Sequence, residues 1–478
     1  GSLAGEGSGA GAAAATEADD APAAPELPAL LQMPLSQAVL SVAWPAAVIG
    51  LLRAGYGLTD AWWVGRLGAS ELAAMGAASF ASWIVSLAVD MVAIGVHSRA
   101  SQQAGARNER GLHSTMWQGL YAQVVVCLAL VLVLPLSGAY YDVLGVSAGA
   151  ERAAGLAYLQ ASVLGAAPLA GSAVLLSVFK GHGWMRPATA ITALTVALNA
   201  LLDPLLIWGF PALGVPRMGI AGAAVATSLS AALGTALSAG YLRRRLAPAP
   251  VPAPDLRAAL RLLGVGVPLT ASGVLFSIVY IGIGRLASSL DTANLAALGL
   301  GQRIEGLAYT LCAAFGMGAA TVCGQWIGAN RRAEARSACD RAAVLCACAI
   351  VPLALALYAF SDPLTLLFTS DPAIRASARG YIELNAAVFV LMAAEAVYEG
   401  GFMGVGRTLP SLWIGGTINI LRLPAAALAI QHGGGITAVW TVIAASQALK
   451  GLLKMLWFRT VTLPKPEEPE EPALPEPA

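Results

Sequence analysis

Charged residues are scarce in this 478-residue sequence, where Asp, Glu, Lys and Arg together make up only 12% of the chain. Soluble domains usually carry about 25% charged residues. At the same time 57% of the residues are hydrophobic, and the mean hydropathy is +0.70. This combination excludes an ordinary water-soluble enzyme and a fully disordered chain. It predicts a protein that crosses a membrane several times.

Residues that ligate metals or form disulfides are also few. The chain has four histidines and six cysteines, and none of them has the spacing of a zinc site or of a disulfide framework. The net charge of +1 does not favour nucleic-acid binding. Phosphate-binding and zinc-protease motifs are absent from suitable positions. We therefore expect no cofactor, no metal centre, no nucleic-acid partner and no enzymatic activity.

Apolar runs of about 20 residues or more recur twelve times, and each is long enough to cross a bilayer as a helix. The runs lie near residues 36–62, 72–97, 115–139, 155–179, 188–210, 219–242, 259–289, 295–321, 341–368, 378–403, 410–431 and 436–458. Arginine and lysine concentrate in the connections after the even-numbered runs, and such connections usually face the cytoplasm. We expect both termini in the cytoplasm and a location in the cell (inner) membrane, with an organellar membrane as the alternative.

The second half of the sequence repeats the first at a constant offset of 223 residues. Identical residues at this offset include Pro45 and Pro268, Gln102 and Gln325, and Gly181 and Gly404. The offset covers six runs, an even number, so the two halves enter the membrane from the same side. We expect an all-α protein with twelve transmembrane helices in two six-helix lobes, related by a pseudo-two-fold axis along the membrane normal.

Composition and the repeat divide the chain into five segments. We expect a disordered N-terminal extension over residues 1–35, an N-lobe over 36–242, a cytoplasmic loop over 243–258, a C-lobe over 259–458 and a disordered Pro/Glu-rich tail over 459–478.

Several motifs follow one another along the chain. They are a first span with Pro45 and Asp60 followed by V-G-x-L-G, the turn Gly181-His-Gly-Trp-Met-Arg-Pro187, the segment Asn199-Ala-Leu-Leu-Asp203-Pro204, and Arg303-Ile-Glu305, Gly324-Gln325 and Glu395 in the second half. In this order they resemble the multidrug and toxic compound extrusion (MATE) family over roughly residues 36–458. The resemblance implies a two-lobe secondary transporter. Members with a second-lobe sodium site carry an acid in the seventh helix, whereas residues 268–290 contain none.

Two aspartates lie inside predicted spans of the first lobe, where an ionisable group is costly and marks a functional candidate. Tyr56 and Asp60 are four residues apart and share one helix face, as do Asn199 and Asp203. Both aspartates lie late in spans of the same direction, so we expect them at similar depth. Two neighbouring carboxylates in a poorly hydrated cavity cannot both ionise cheaply, so at least one is expected to hold a proton near neutral pH.

Other interpretations of these residues stay open. Asp60 could end the first helix and pair with Arg53 or Arg66, and the oxygens of the site could bind Na⁺ instead of a proton. The resemblance implies a first-lobe coupling site for H⁺ or Na⁺ formed by Tyr56, Asp60, Asn199, Asp203 and Thr227.

Pro45 lacks an amide hydrogen and permits a bend in the first span. The hypothesis is that protonation of the aspartates and bending of this helix eject the substrate. A static kink is the alternative.

Charged residues also lie in predicted spans of the second lobe. Glu305 should lie about 15 Å deep at 1.5 Å per residue, and Arg422 at a similar depth. We expect Arg422 to pair with Glu305 or Glu395, either as a structural link or within a substrate site. The glutamates would meet a cationic substrate, and Arg303 or Arg422 an anionic one.

The sequence as a whole predicts a monomeric antiporter that exports small organic, cationic and amphipathic compounds in exchange for H⁺, or Na⁺, by alternating access. Two alternatives keep the same fold. One is an exporter of organic anions such as citrate. The other is a flippase for lipid-linked sugars, which would need a strongly basic central cavity.

Overall fold

The computed structural model describes residues 27–143, 149–461 and 463. Within these ranges the chain is almost entirely α-helical, and extended pairing is limited to one bridge between Phe210 and Val215. The all-α prediction is confirmed. Most of the predicted N-terminal extension and nearly all of the Pro/Glu-rich tail lie outside the described residues.

The described part of the first half contains eight α-helices. In chain order they are α1 Leu35–Gly65, α2 Ala69–Gly105, α3 Glu109–Val133, α4 Ser137–Val143, α5 Ala150–Leu164, α6 Ala166–His182, α7 Met185–Trp208 and α8 Ile220–Arg245. Short 3-10 turns occupy Leu134–Leu136 and Pro211–Leu213.

The second half again contains eight α-helices among its described residues. They are α9 Leu256–Leu290, α10 Thr292–Gly328, α11 Arg332–Ala359, α12 Ser361–Leu366, α13 Pro372–Ala386, α14 Phe389–Gly404, α15 Leu409–Gln431 and α16 Gly435–Thr460. Asp255 and Asp291 cap α9 and α10, because their carboxylates accept the first free amide hydrogens of each helix.

Two of the predicted spans are broken helices. The pairs α5–α6 and α13–α14 are bent by 43° and 59°, and counting each pair as one span brings the total in the described residues to twelve. In the first pair Pro168 cannot donate a hydrogen bond to Leu164, the residue at which α5 ends. The number of spans therefore agrees with the hydropathy, and the missing amide hydrogen of Pro168 accounts for the lost backbone bond at the first break.

The helix boundaries repeat at the offset seen in the sequence. Helices that begin 223 residues apart are α2 and α10 at Ala69 and Thr292, α3 and α11 at Glu109 and Arg332, and α6 and α14 at Ala166 and Phe389. Since equal spacing along both halves produces equal elements, the chain folds into two lobes of the same architecture.

The lobes meet through α1 against α10 and through α2 against α9 and α10. Glycines allow the closest approaches. A Cβ atom on Gly105 would lie 1.9 Å from the carbonyl oxygen of Gln325, and one on Gly328 would lie 1.9 Å from that of Gln102. These residues stand at the ends of α2 and α10, beside the basic connections. We call this part of the interface the closed end.

Candidate functional site

Asp60 and Asp203 come together in the first lobe, where α1 packs on α7. Their carboxyl groups lie within hydrogen-bonding reach of each other, and their residues are 7% and 0% exposed. The side-chain amide of Asn199 donates to Asp203 Oδ1 at 3.2 Å. Two carboxylates in contact repel each other unless a proton or a cation lies between them. The arrangement is therefore suited to binding and releasing one.

Tyr56 extends this group toward α8. Its hydroxyl lies 2.9 Å from Ser230 Oγ and donates over 3.4 Å to the carbonyl oxygen of Thr227. Thr227 thus contacts Tyr56 through its backbone carbonyl oxygen. The sequence did not single out Ser230, because a small polar residue in an Ala/Gly-rich helix belongs to no motif that would mark it.

A cavity of about 360 Å³ adjoins the two aspartates, and we call it the first-lobe cavity. Arg53, Tyr56, Asp60 and Asp90 are among its lining residues, whereas Asp203 is not. Asp60 is therefore the member of the pair that a ligand in this cavity would meet, and Asp203 lies behind it.

The structure opposes the interpretation in which Asp60 ends the first helix. Helix α1 runs without interruption through Pro45 and Asp60 to Gly65. The guanidinium carbon of Arg66 lies 3.9 Å from the centroid of the Trp62 ring. Among the described residues, Asp60 forms no ion pair with Arg53 or Arg66.

In the second lobe Glu395 pairs with two lysines that the sequence analysis overlooked. Its Oε1 atom lies 3.0 Å from Lys450 Nζ and 3.2 Å from Lys454 Nζ, and Lys454 also contacts Glu399. The two lysines are four residues apart within the twelfth predicted span, so their spacing was a usable signal.

The predicted pairing of Arg422 with Glu395 is wrong, because α14 packs on α16 and hardly touches α15, which carries Arg422. No ion pair with Glu305 forms either among the described residues. Instead the Tyr381 hydroxyl donates to Glu305 at 2.5 Å, and Arg422 Nε donates to Ser446 Oγ at 2.7 Å. Arg303 is exposed on α10 and lines neither of the two lobe cavities.

A second cavity, of about 350 Å³, lies in the other half, and we call it the second-lobe cavity. Phe276, Tyr280, Glu305, Glu399 and Lys450 are among its lining residues. It combines aromatic walls with charges of both signs. In the described ranges, no three His, Cys, Asp or Glu side chains are grouped so that they could hold a metal ion.

Comparison with known proteins agrees with this architecture. The MatE family model matches residues 45–205 and again residues 268–428, two stretches that differ by the repeat offset. Two relatives carry the name probable multidrug resistance protein NorM. The one from Thermotoga maritima is 24% identical over 426 residues, covering 88% of this chain and 91% of its own length. The one from Deinococcus radiodurans is 29% identical over 437 residues, covering 87% and 93%.

Solved structures share the same fold. A crystal structure of MATE in the bent conformation superposes with a TM-score of 0.82 at 21% identity, over 90% of this chain and 96% of that one. At this level of identity the likeness shows the fold alone.

Proposed function

The chain belongs to the MatE family, and on that premise we propose that it exports cationic, amphipathic organic compounds in exchange for protons. The observation that carries this proposal is the contact between Asp60 and Asp203 inside the first lobe. Ionisable residues in spanning helices are energetically costly, and where they occur they usually mark an ion or substrate pathway.

Direct contact between the two carboxyl groups supports H⁺ as the coupling ion. One carboxyl group can donate a shared proton to the other at hydrogen-bonding distance. A metal cation such as Na⁺ would have to enter between the oxygens and separate them. Asn199 donates to Asp203 at 3.2 Å and would stabilise the ionised carboxylate of Asp203 after the proton leaves.

The lining of the first-lobe cavity supports a cationic substrate. Asp60 and Asp90 bring two acids against the single cation Arg53, and Tyr56 and Tyr158 add aromatic surface. A positively charged aromatic compound would gain both electrostatic and cation–π attraction there. Protonation of Asp60 would weaken that attraction, which links proton entry to substrate release.

The lobe geometry supports alternating access. The close approaches of α2, α9 and α10 seal the interface at the arginine-rich end, which we place at the cytoplasm. The structure would then correspond to an outward-facing state of a monomer with both termini inside. In this proposal Pro45 allows α1 to bend when the aspartates take up protons, and this bend reshapes the first-lobe cavity.

The test is counterflow of a fluorescent organic cation in proteoliposomes under an imposed pH gradient. Native protein is compared with Asp60→Asn and Asp203→Asn, and with Asp362→Asn, which changes an exposed aspartate paired to Arg375. We expect gradient-driven transport to disappear in the first two variants and to persist in the third.

Two outcomes would overturn the proposal. Transport driven by a Na⁺ gradient and indifferent to pH would replace the proton by Na⁺. Transport of citrate with no transport of any organic cation would favour the organic-anion exporter.

A further inference from the structure

We propose that the segment joining the two lobes, residues 246–255, is a strap that holds the closed end shut and is released when that end opens. The strap is docked on α3 of the first lobe at the point where it leads into α9 of the second. The inference rests on the proposed function only in that alternating access requires the closed end to open. The docking itself is independent of the transported compound and of the coupling ion.

The sequence of the strap does not favour secondary structure of its own. Every second residue from Pro248 to Pro254 is proline, and within residues 246–255 the described chain forms no helix and no strand. Proline has no amide hydrogen, and Pro-rich segments adopt an extended, stiff backbone of about 3.1 Å per residue. The carbonyl oxygens of the strap therefore lack donors within the strap and are open to donors from elsewhere in the protein.

Two side chains of α3 bind the strap near its C-terminal end. Gln118 Nε2 donates to the carbonyl oxygen of Ala253 at 2.7 Å, and Gln118 Oε1 accepts from the backbone amide of Asp255 at 2.9 Å. The Tyr121 hydroxyl donates to the carbonyl oxygen of Pro252 at 3.1 Å. Gln118 and Tyr121 are three residues apart and so lie on one face of α3. Three hydrogen bonds thus hold a stretch of only four residues.

Gln118 depends on the strap for its pairing. The residue is 4% exposed, and a buried amide is costly unless its polar atoms are hydrogen-bonded. The strap supplies an acceptor for the nitrogen and a donor for the oxygen. Gln123, on the same helix, is 2% exposed, and its side-chain nitrogen and oxygen have no hydrogen-bond partner among the described residues. Pairing is therefore a feature of the docked strap and not of every buried glutamine on α3.

The same contact ties the start of α9 to the first lobe. Asp255 is the N-cap of α9, and its carboxylate accepts the amides of Arg257 and Ala258 at 2.8 and 3.3 Å. Helix α9 packs on α2 and α3 of the first lobe and on α10 and α15 of the second. At the other end of the strap, Leu246 is buried in the core. Separation of the lobes at the closed end would move the start of α9 away from α3, so the three bonds would have to break.

The experiment measures the distance between the lobes at the closed end by pulsed electron paramagnetic resonance. Spin labels are attached to Arg110→Cys and Ala333→Cys in the full chain, reconstituted in proteoliposomes with the native cysteines replaced. These positions are exposed, lie near the starts of α3 and α11 and are 223 residues apart, so the labels report on equivalent points of the two lobes.

The strap is tested by Gln118→Leu and by Tyr121→Phe, which removes one hydroxyl and leaves the ring in place. Gln123→Leu is the matched control, because it makes the same change on the same helix where the described residues show no hydrogen bond to lose. Size-exclusion chromatography checks that each variant is folded, and Tyr121→Phe keeps the test valid if Gln118→Leu does not fold.

We expect mainly a short distance in the native sequence and an added longer distance in the strap variants. Gln118→Leu loses two hydrogen bonds, so the ratio of open to closed molecules should rise about fivefold or more. Tyr121→Phe loses one bond and should give a smaller rise. Gln123→Leu should keep the native distance distribution.

An unchanged distance distribution in both Gln118→Leu and Tyr121→Phe would overturn the strap. An equal shift in Gln123→Leu would also overturn it, since the effect would then be a general loosening of α3. Adding Asp203→Asn, which is expected to stop proton-driven transport, should leave the difference between native and Gln118→Leu distances in place. Either proposal can therefore fail while the other stands.

Discussion

Gln102 donates a hydrogen bond of 2.9 Å from its side-chain amide to the carbonyl oxygen of Gly404, across the interface between the lobes. Its equivalent in the repeat, Gln325, donates one of 3.0 Å to the carbonyl oxygen of Gly181. The donors and the acceptors are each 223 residues apart. The closed end is thus held by one interaction that occurs twice, as the pseudo-symmetry of the chain requires.

Removing these bonds should loosen the closed end. Gln102→Ala and Gln325→Ala each delete one bond worth about 0.5–1.5 kcal/mol, so each should raise access to the interface about two- to tenfold. The measurement is the rate of maleimide labelling at Ser98→Cys, a position buried in the interface, with the native cysteines replaced. Gln160→Ala, at an exposed side chain, is the control. An unchanged rate in the double variant would show that these bonds do not hold the lobes together.

Adding a methyl group at the same end should force the lobes apart. In Gly105→Ala the new Cβ would lie 1.9 Å from the carbonyl oxygen of Gln325, and such overpacking costs about 1–3 kcal/mol. We expect a lower melting temperature and slower counterflow. Gly264→Ala is the matched control, because a Cβ there meets no atom within 4 Å. Equal melting temperatures for the two variants would contradict this close approach.

The buried ion cluster of the second lobe should be sensitive to loss of its central acid. Glu395→Gln leaves the ammonium groups of Lys450 and Lys454 without that carboxylate, and breaking a buried pair costs about 3–5 kcal/mol. Thermal unfolding should show a large drop in melting temperature for this variant. Glu334→Gln, which breaks an exposed pair with Arg331, should cost about 0–1 kcal/mol.

A compensating change provides a second check on this cluster. Lys454 keeps its contact with Glu399, so adding Lys450→Met to Glu395→Gln removes the cation that has lost its carboxylate partner and should recover part of the lost stability. If Lys450→Met instead lowered the stability of Glu395→Gln by as much as it lowers that of the native protein, the charges of Glu395 and Lys450 would not be coupled.

In the first lobe, replacing Asn199 should reduce pH-driven transport more than replacing Thr227. Asn199→Ala removes the donor to Asp203, and a hydrogen bond to a charged group is worth about 1.5–3 kcal/mol, so pH-driven transport should fall about tenfold or more. Thr227→Val keeps the backbone carbonyl that accepts from Tyr56 and should have a smaller effect. Equal losses of transport rate in the two variants would show that the Thr227 hydroxyl also takes part in the coupling site.

The fold was largely predictable from the sequence. Hydropathy predicted twelve spans, and the offset that pairs Pro45 with Pro268 predicted two equivalent lobes; family membership and the two-lobe structure confirm both. Asp60 and Asp203 could be singled out as well, because an acid in an apolar run is conspicuous and its i, i+4 neighbours follow from the pitch of the helix. All of these features can be read from one stretch of the sequence or from the comparison of two stretches.

Tertiary structure alone decided the partners. Whether Glu395 meets Arg422 or Lys450 depends on which helix packs beside α14 and on how each helix is rotated about its axis. In an interior rich in Ala and Gly, hydropathy is nearly the same on every face and does not predict that rotation. The sequence by itself therefore determined the number of helices, their repeat and their ionisable residues. Helix packing determined which of those residues touch, because contacts depend on neighbours that are far apart along the chain.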